Sequence, residues 1–260
     1  MSTTVTWLGH SSVVLDVDGV RIVADPLLRR NAGPLRRRGG PPTRALWDGA
    51  DAVLLSHLHH DHAELRSLRM LPVGIPVITG AANVPWLRKR GLEAVAPLDR
   101  AWIDVGPGSG VRVALCGADH SARPMPHRPN GANGHLVVTP SARIWVAGDT
   151  ALFDGLSEIP EQAGGPIDLA LVPVSGWGPR LSGGHMGPTE AAEACRRVGA
   201  ARAIPVHWGT LHTPGGRAHP RGWMDRPGPE FATALEEAAP QCLPMILEIG
   251  RPTPLEPATP

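Results

Sequence analysis

Short apolar runs, each closed off by glycine, proline, aspartate or serine, set the rhythm of this chain. The opening "VTWLGHSSVVLDVDGVRIVADP" alternates β-branched residues with others and breaks at Asp18-Gly19, which predicts a hairpin and an antiparallel start. Seven further runs follow: "DAVLLS" (51–56), "IPVIT" (75–79), "VRVALCG" (111–117), "GHLVVT" (134–139), "ARIWVAGD" (142–149), "LALVPVS" (169–175) and "RAIPVHW" (202–208). Their length and content predict buried strands. The clearest helix is "GPTEAAEACRRVG". Pro188 suits its first position, Glu190 and Glu193 lie toward the N-terminus, Arg196 and Arg197 toward the end, and Gly199 suits the stop. Strands interleaved with helices predict an α/β layered fold, its sheets covered by helices. "LLRRNAGPLRRRGGPPTRALW" has no apolar period and reads as loop, while residues 251–260, "RPTPLEPATP", read as a disordered proline-rich tail. No low-complexity linker divides the middle of the 260 residues, so a single domain over 1–250 is expected.

Charge and cysteine content narrow the function classes. The 25 basic and 24 acidic residues leave a net charge of +1, which gives no global pull toward nucleic acid or an anionic membrane. Cys116, Cys195 and Cys242 are odd in number and form no CxxC pair. That argues against a disulfide framework and a thiolate zinc knuckle, and fits a reducing cytoplasm. The N-terminal stretch lacks a basic segment followed by an apolar one, and no apolar run approaches the roughly 18 residues of a membrane span.

Candidate chemistry collects at predicted strand exits. "DAVLLS" runs into His57, His59, His60, Asp61 and His62; other strands lead to His120, to Asp149 and to His207. Strand ends are where layered α/β folds build ligand sites. His57 and His59 can turn toward one ion while Asp61 and His62 address a second, and Asp149, with two oxygens, is a candidate bridge between them. Imidazole and carboxylate suit zinc, manganese or iron. His60 has no assigned partner and reads as a spacer.

His57, His59, Asp61 and His62 fill the pattern HxHxDH in full, and in this the chain resembles the metallo-β-lactamase superfamily. "WLGHSSVVLDVDGVRIVADP", "VAGDT", "GHMGPTEA" and "VHWGT" look most like the branch of L-ascorbate-phosphate lactonases and N-acylphosphatidylethanolamine-hydrolysing phospholipase D. The resemblance implies a four-layer αββα sandwich, two mixed sheets covered by helices, with a dinuclear site at one edge. It implies one cation on His57, His59 and His120, another on Asp61, His62 and His207, and Asp149 bridging both. His185, in "GHMGP", matches a histidine that assists substrate binding or catalysis; Asp61 is carried with it as a catalytic candidate. Asp25 matches a position where a carboxylate orients a ligating imidazole. The implied cofactors are two divalent ions, zinc first and manganese next.

The implied function is a metal-dependent hydrolase that uses a hydroxide shared by two cations on a small phosphodiester, phosphorylated, ester or lactone metabolite. A nuclease of the tRNA-processing kind is disfavoured by the near-neutral charge and the lack of an RNA-binding arm. A non-catalytic metal- or ligand-binding regulator is disfavoured by the complete ligand set. An oxygen-using iron relative is a further alternative. Three features bear on substrate. Arg29, Arg30, Arg36, Arg37, Arg38 and Arg44 form either an anion-capturing flap or a solvated loop. His10 is either a substrate contact or a turn histidine. The segment "GTLHTPGGRAHPRGWMDRPGPE" is either a closing loop or surface ornament.

Overall fold

The computed structural model describes residues 3–98, 101–120 and 128–255. In chain order the strands are β1 (Thr3–Gly9), β2 (Ser12–Val17), β3 (Val20–Ala24), β4 (Asn31–Ala32), β5 (Leu35–Arg37), β6 (Ala52–Leu54), β7 (Val77–Ile78), β8 (Ala94–Val95) and β9 (Ile103–Val105). They continue with β10 (Val111–Cys116), β11 (Gly134–Val138), β12 (Arg143–Val146), β13 (Leu169–Pro173), β14 (Arg202–Val206), β15 (Leu211–His212), β16 (Leu243–Pro244) and β17 (Pro252–Leu255). The helices are α1 (Leu65–Leu68), α2 (Val84–Arg88), α3 (Ile159–Ala163), α4 (Pro188–Val198) and α5 (Pro227–Ala238).

Two seven-stranded sheets form, in the orders β17-β1-β2-β3-β6-β7-β8 and β16-β14-β13-β12-β11-β10-β9. Both are mixed. β1, β2 and β3 pair antiparallel, whereas β3-β6-β7-β8 and β12-β13-β14-β16 run parallel. The two-residue alternation of strand side chains then sorts the core into layers. Val13, Leu15 and Val17 of β2 point into the inter-sheet layer, where they share a cluster with Leu169 and Leu171 of β13. Val14 points the other way, to a cluster with Leu68 after the start of α1 and Leu87 of α2. On the second sheet Ala170 and Val172 face a third cluster containing Ala191, Ala194 and Val198 of α4 and Phe231 of α5. Helix, sheet, sheet, helix is the αββα order of the metallo-β-lactamase fold.

Each of the seven apolar runs contains a strand, and the Asp18-Gly19 break is the β2–β3 turn, with φ of 45° and 86° as a two-residue turn requires. α4 covers the expected helix. Its stop, Gly199, sits at φ 60°, and Glu190 accepts the backbone N–H of Gly187 at 3.1 Å.

Two expectations are corrected. Pro252–Leu255 do not continue as a disordered tail: they pair antiparallel with Thr3–Thr6 of β1 as an edge strand, a place where proline is tolerated because its missing N–H faces outward. Residues 256–260 lie outside the described residues. The arginine-rich stretch is not structureless either. β4 and β5 form a small sheet with β15, so the stretch and the segment after His207 hold each other in place. Trp223 and Met224 of that segment are buried, and Arg38 is ion-paired with Asp225. Within the described residues no helix is long and apolar enough to cross a membrane.

Leu171 is 1% exposed between the sheets, and Leu243 is 59% exposed on β16. Leu171→Ala is expected to lower the unfolding free energy by about 2–5 kcal/mol, and Leu243→Ala by no more than about 0.5 kcal/mol, as read by urea denaturation.

Candidate metal centre

The sheets converge on one edge. His10 follows β1, Asp25 follows β3, and the His57–His62 loop follows β6; from the second sheet, His120 follows β10, Asp149 follows β12, Ser175 follows β13 and His207 follows β14. Two contacts tie the edges together. The Trp7 and Trp208 rings stack at 5.4 Å, and the His207 backbone N–H donates to the His10 carbonyl at 3.0 Å. His10, Asp25 and His207 sit in the left-handed region, at φ 54°, 39° and 64°. Histidine and aspartate tolerate it better than most residues, and clustering of such residues is typical of functional sites.

Backbone freedom supplies the remaining two placements. Gly148 (φ 65°) precedes Asp149, and a side chain there would lie 2.6 Å from Ser56 Cβ. Gly184 (φ 80°) offers its carbonyl to His120 Nδ1 at 2.7 Å, where a Cβ would stand 2.8 Å from that nitrogen.

Each ring is oriented from behind. His207 Nδ1–H donates to the Ser175 carbonyl at 2.7 Å, and His62 Nδ1–H donates to Asp25 Oδ2 at 2.8 Å. Ser56 donates its hydroxyl hydrogen to Asp25 Oδ2 at 2.7 Å and thereby accepts from His57 Nδ1–H at 2.9 Å. With Nδ1 so engaged, Nε2 of His57, His62 and His207 turns inward, and none of the three makes a hydrogen bond. Both oxygens of Asp149 are likewise buried and unpartnered, and its Oδ2 lies 3.1 Å from His62 Nε2, 3.2 Å from His207 Nε2, 3.4 Å from His185 Nε2 and 3.7 Å from His57 Nε2. His59 Nδ1 and His120 Nε2 point to one spot, 3.1 Å apart. Buried groups this polar are normally satisfied, so five orphaned atoms facing one another mark a place for a cation.

The ligand atoms fall into three groups whose members lie within 4.8 Å of one another: His57, His59, His120 and Asp149; His10, Asp61, His62 and His207; and Asp149, His185 and His207. The first two correspond to the two halves expected from sequence, with His10 added to the second. His10 is fully buried, and its Nε2–H donates to Asp61 Oδ2 at 2.9 Å. It therefore holds Asp61 in place, a role beside the two that the sequence left open, substrate contact and turn histidine.

The electrostatics agree. Burial drives the imidazoles of His57, His59 and His120 below their ordinary range, His59 to about 4, and His10 to about 3. Burial acts on His62 and His207 too, but Asp149 and its fellow aspartates outweigh it, holding His62 well above its usual value and His207 at about 9. Asp61 and Asp149 are held well below the usual carboxylate range: burial opposes ionisation there, and the surrounding histidines prevail. Three aspartates buried together demand positive charge. Nitrogen and carboxylate donors without thiolate match zinc, manganese or iron.

Of the supports, Asp25 was expected from sequence, whereas Ser56, Ser175 and Gly184 were missed. Ser56 was legible as a hydroxyl beside the motif, whereas the carbonyls of Ser175 and Gly184 carry no side-chain signal. The arginine stretch, left open between an anion-capturing flap and a solvated loop, does not act as one unit. Arg37 is buried, donating to the carbonyls of Leu8 at 2.6 Å and Leu27 at 2.8 Å, while Arg38 pairs with Asp225 and Arg44 with Asp48.

The model of the β-lactamase superfamily domain matches residues 20–208. An N-acyl-phosphatidylethanolamine-hydrolyzing phospholipase D 1 of Caenorhabditis elegans is 29% identical over 228 residues, 79% of this chain but only 63% of that protein's length. A metal-dependent hydrolase of Azorhizobium caulinodans is 30% identical over 222 residues, 80% of this chain and 86% of that protein. A solved metallo hydrolase of the archaeon Ignicoccus hospitalis superposes with a TM-score of 0.74 at 20% identity, over 98% of this chain and 99% of the other. The domain match over most of the chain, with the fold and the histidine–aspartate cluster beside it, makes the chain a member of the metallo-β-lactamase superfamily.

Proposed function

We propose that the protein is a dinuclear hydrolase of small phosphodiester, phosphorylated, ester or lactone metabolites, with phosphodiesters the first class to test. The observation that carries this reading is Asp149, whose buried, unpartnered carboxylate brings Oδ2 within 3.7 Å of His57 of one group and within 3.2 Å of His62 and His207 of the other. In this reading His57, His59 and His120 hold one divalent ion, zinc or manganese, Asp61, His62 and His207 hold a second, and Asp149 faces both. Two such ions supply an activated water and offset charge developing on the attacked centre. The similarity to a phospholipase D supports phosphodiesters within this class.

The chain's own residues do the positioning. Asp25 fixes His62 and, through Ser56, His57, so a single carboxylate serves both halves. His10 fixes Asp61. His185, like His59, is partly open, with its side chain 10% exposed beside Asp149. Its Nδ1 lies 3.2 Å from the Ser182 carbonyl and 3.1 Å from the Ser182 hydroxyl. With that end held, a proton on Nε2 is placed for transfer to a leaving group or for a hydrogen bond to developing negative charge. The buried thiols Cys116, Cys195 and Cys242 are compatible with a cytoplasmic setting.

The test is hydrolysis of bis(p-nitrophenyl) phosphate and a simple lactone panel by zinc- or manganese-reconstituted protein. Activity on either class above an Asp149→Ala blank is expected; silence on both with two ions bound would overturn the reading. Asp149→Ala is expected to lower metal content from two ions to one or none by elemental analysis, with folding checked by circular dichroism. His185→Ala is expected to keep both ions and lose kcat by about 10²–10⁴-fold. Asp25→Asn is expected to weaken metal affinity by about 10–100-fold, measured by chelator competition.

A further inference from the structure

His60 is the one histidine of the HxHxDH loop that the metal centre does not use, and it faces a different cavity. That cavity, about 450 Å³, is lined by His60 together with Arg29, Arg30, Arg66, Arg69 and Arg128. Glu64 is the acidic residue among its described lining, and its carboxylate is already engaged at the start of α1. There it accepts from the backbone N–H of Ser67 at 2.7 Å and of Arg66 at 3.3 Å, and from the Ser67 hydroxyl at 2.7 Å.

Arg128 is the informative member. It is 3% exposed, its Nη1 donates to His60 Nδ1 at 2.9 Å and its Nη2 to the Ala63 carbonyl at 2.8 Å. Its Nε is buried without a partner, and it forms no ion pair among the described residues. Its guanidinium lies 4.4 Å from the centre of the Trp86 ring, and Arg90 lies 3.5 Å from the same centre, so a second cation stands nearby. Arg69 donates to the Arg90 carbonyl at 3.3 Å, and among the described residues Arg29, Arg30, Arg66 and Arg69 form no ion pair either. Burying a guanidinium against neutral groups beside four more arginines is costly unless an anion joins them.

We propose that this cavity is a binding site for a phosphate-bearing small molecule, separate from the metal centre. A planar guanidinium fork matches phosphate oxygens in pairs, and several arginines together suit a dianion better than a lone carboxylate. The volume exceeds that of phosphate alone and falls in the range of small-molecule sites, so phosphate is the anchor of a larger ligand. Because His60 lies between His59 and Asp61, the occupant bears on the metal-ligand loop from behind. The inference does not depend on the reaction proposed above.

The experiment is titration calorimetry of inorganic phosphate into the full chain. Since phosphate also has affinity for metal ions, the comparison is made in an Asp149→Ala background stripped of residual metal by chelator, with Asp149→Asn as the second choice if the first does not fold. Binding is expected to persist in that background and to weaken at least about tenfold on adding Arg29→Ala with Arg66→Ala. Arg36→Ala with Arg217→Ala removes the same charge from a neighbouring basic cavity and is expected to change it less than about threefold. Loss of binding in the Asp149→Ala background alone, or equal weakening by both arginine pairs, would overturn the site in favour of metal binding or diffuse attraction. Crystals of the unaltered protein soaked in phosphate give a second readout: density between Arg128 and Arg29 supports the site, and its absence contradicts it.

Discussion

The structure depends on one buried carboxylate. Asp149 is 1% exposed, hydrogen-bonded through neither oxygen, and ringed by four imidazole nitrogens between 3.1 and 3.7 Å away. A carboxylate in that position is tolerable only if positive charge is shared with it, whether as protons on His62 and His207 or as bound cations. The rest of the site follows from that constraint. The Nδ1 atoms are tied back to Asp25, Ser56, Ser175 and Gly184 so that the Nε2 lone pairs have no direction to face but inward.

The fold makes this arrangement possible by separating stability from chemistry. Three apolar layers, alternating along strands such as β2 and β13, pack the two sheets and their helices together with no site residue among their members. The strand ends are then free to carry histidine and aspartate in strained backbone conformations, as at His10, Asp25 and His207. Both sheets contribute to each half of the centre. Its geometry therefore reports how the sheets are stacked, and the Trp7–Trp208 stack beside His10 and His207 fixes that register locally.

Much of this was legible along the chain because it is written in side chains of distinct type. The seven apolar runs each contain strand, α4 carries its own start and stop residues, and the histidines and aspartates of the HxHxDH loop, His120, Asp149 and His207 all meet at one edge. What escaped was carried by the backbone or by pairing across long separations. β17 joins β1 from the opposite end of the sequence, and a proline-rich stretch gives no local hint of that partner. β4, β5 and β15 are two or three residues each, too short for periodicity to show. The arginine-rich stretch looked like one device and is several. Arg37 supports the fold from inside, Arg38 and Arg44 pair with acids, and Arg29 and Arg30 open onto a cavity whose most buried member, Arg128, comes from a distant part of the chain.

Anomalous diffraction from crystals of the metal-reconstituted protein tests the central claim most directly, because it locates the ions independently of turnover. The account predicts two peaks flanking the Asp149 carboxylate, one within reach of His57, His59 and His120 and the other within reach of Asp61, His62 and His207. A single peak that leaves one of those histidine groups without metal, or peaks that do not touch Asp149, would contradict it.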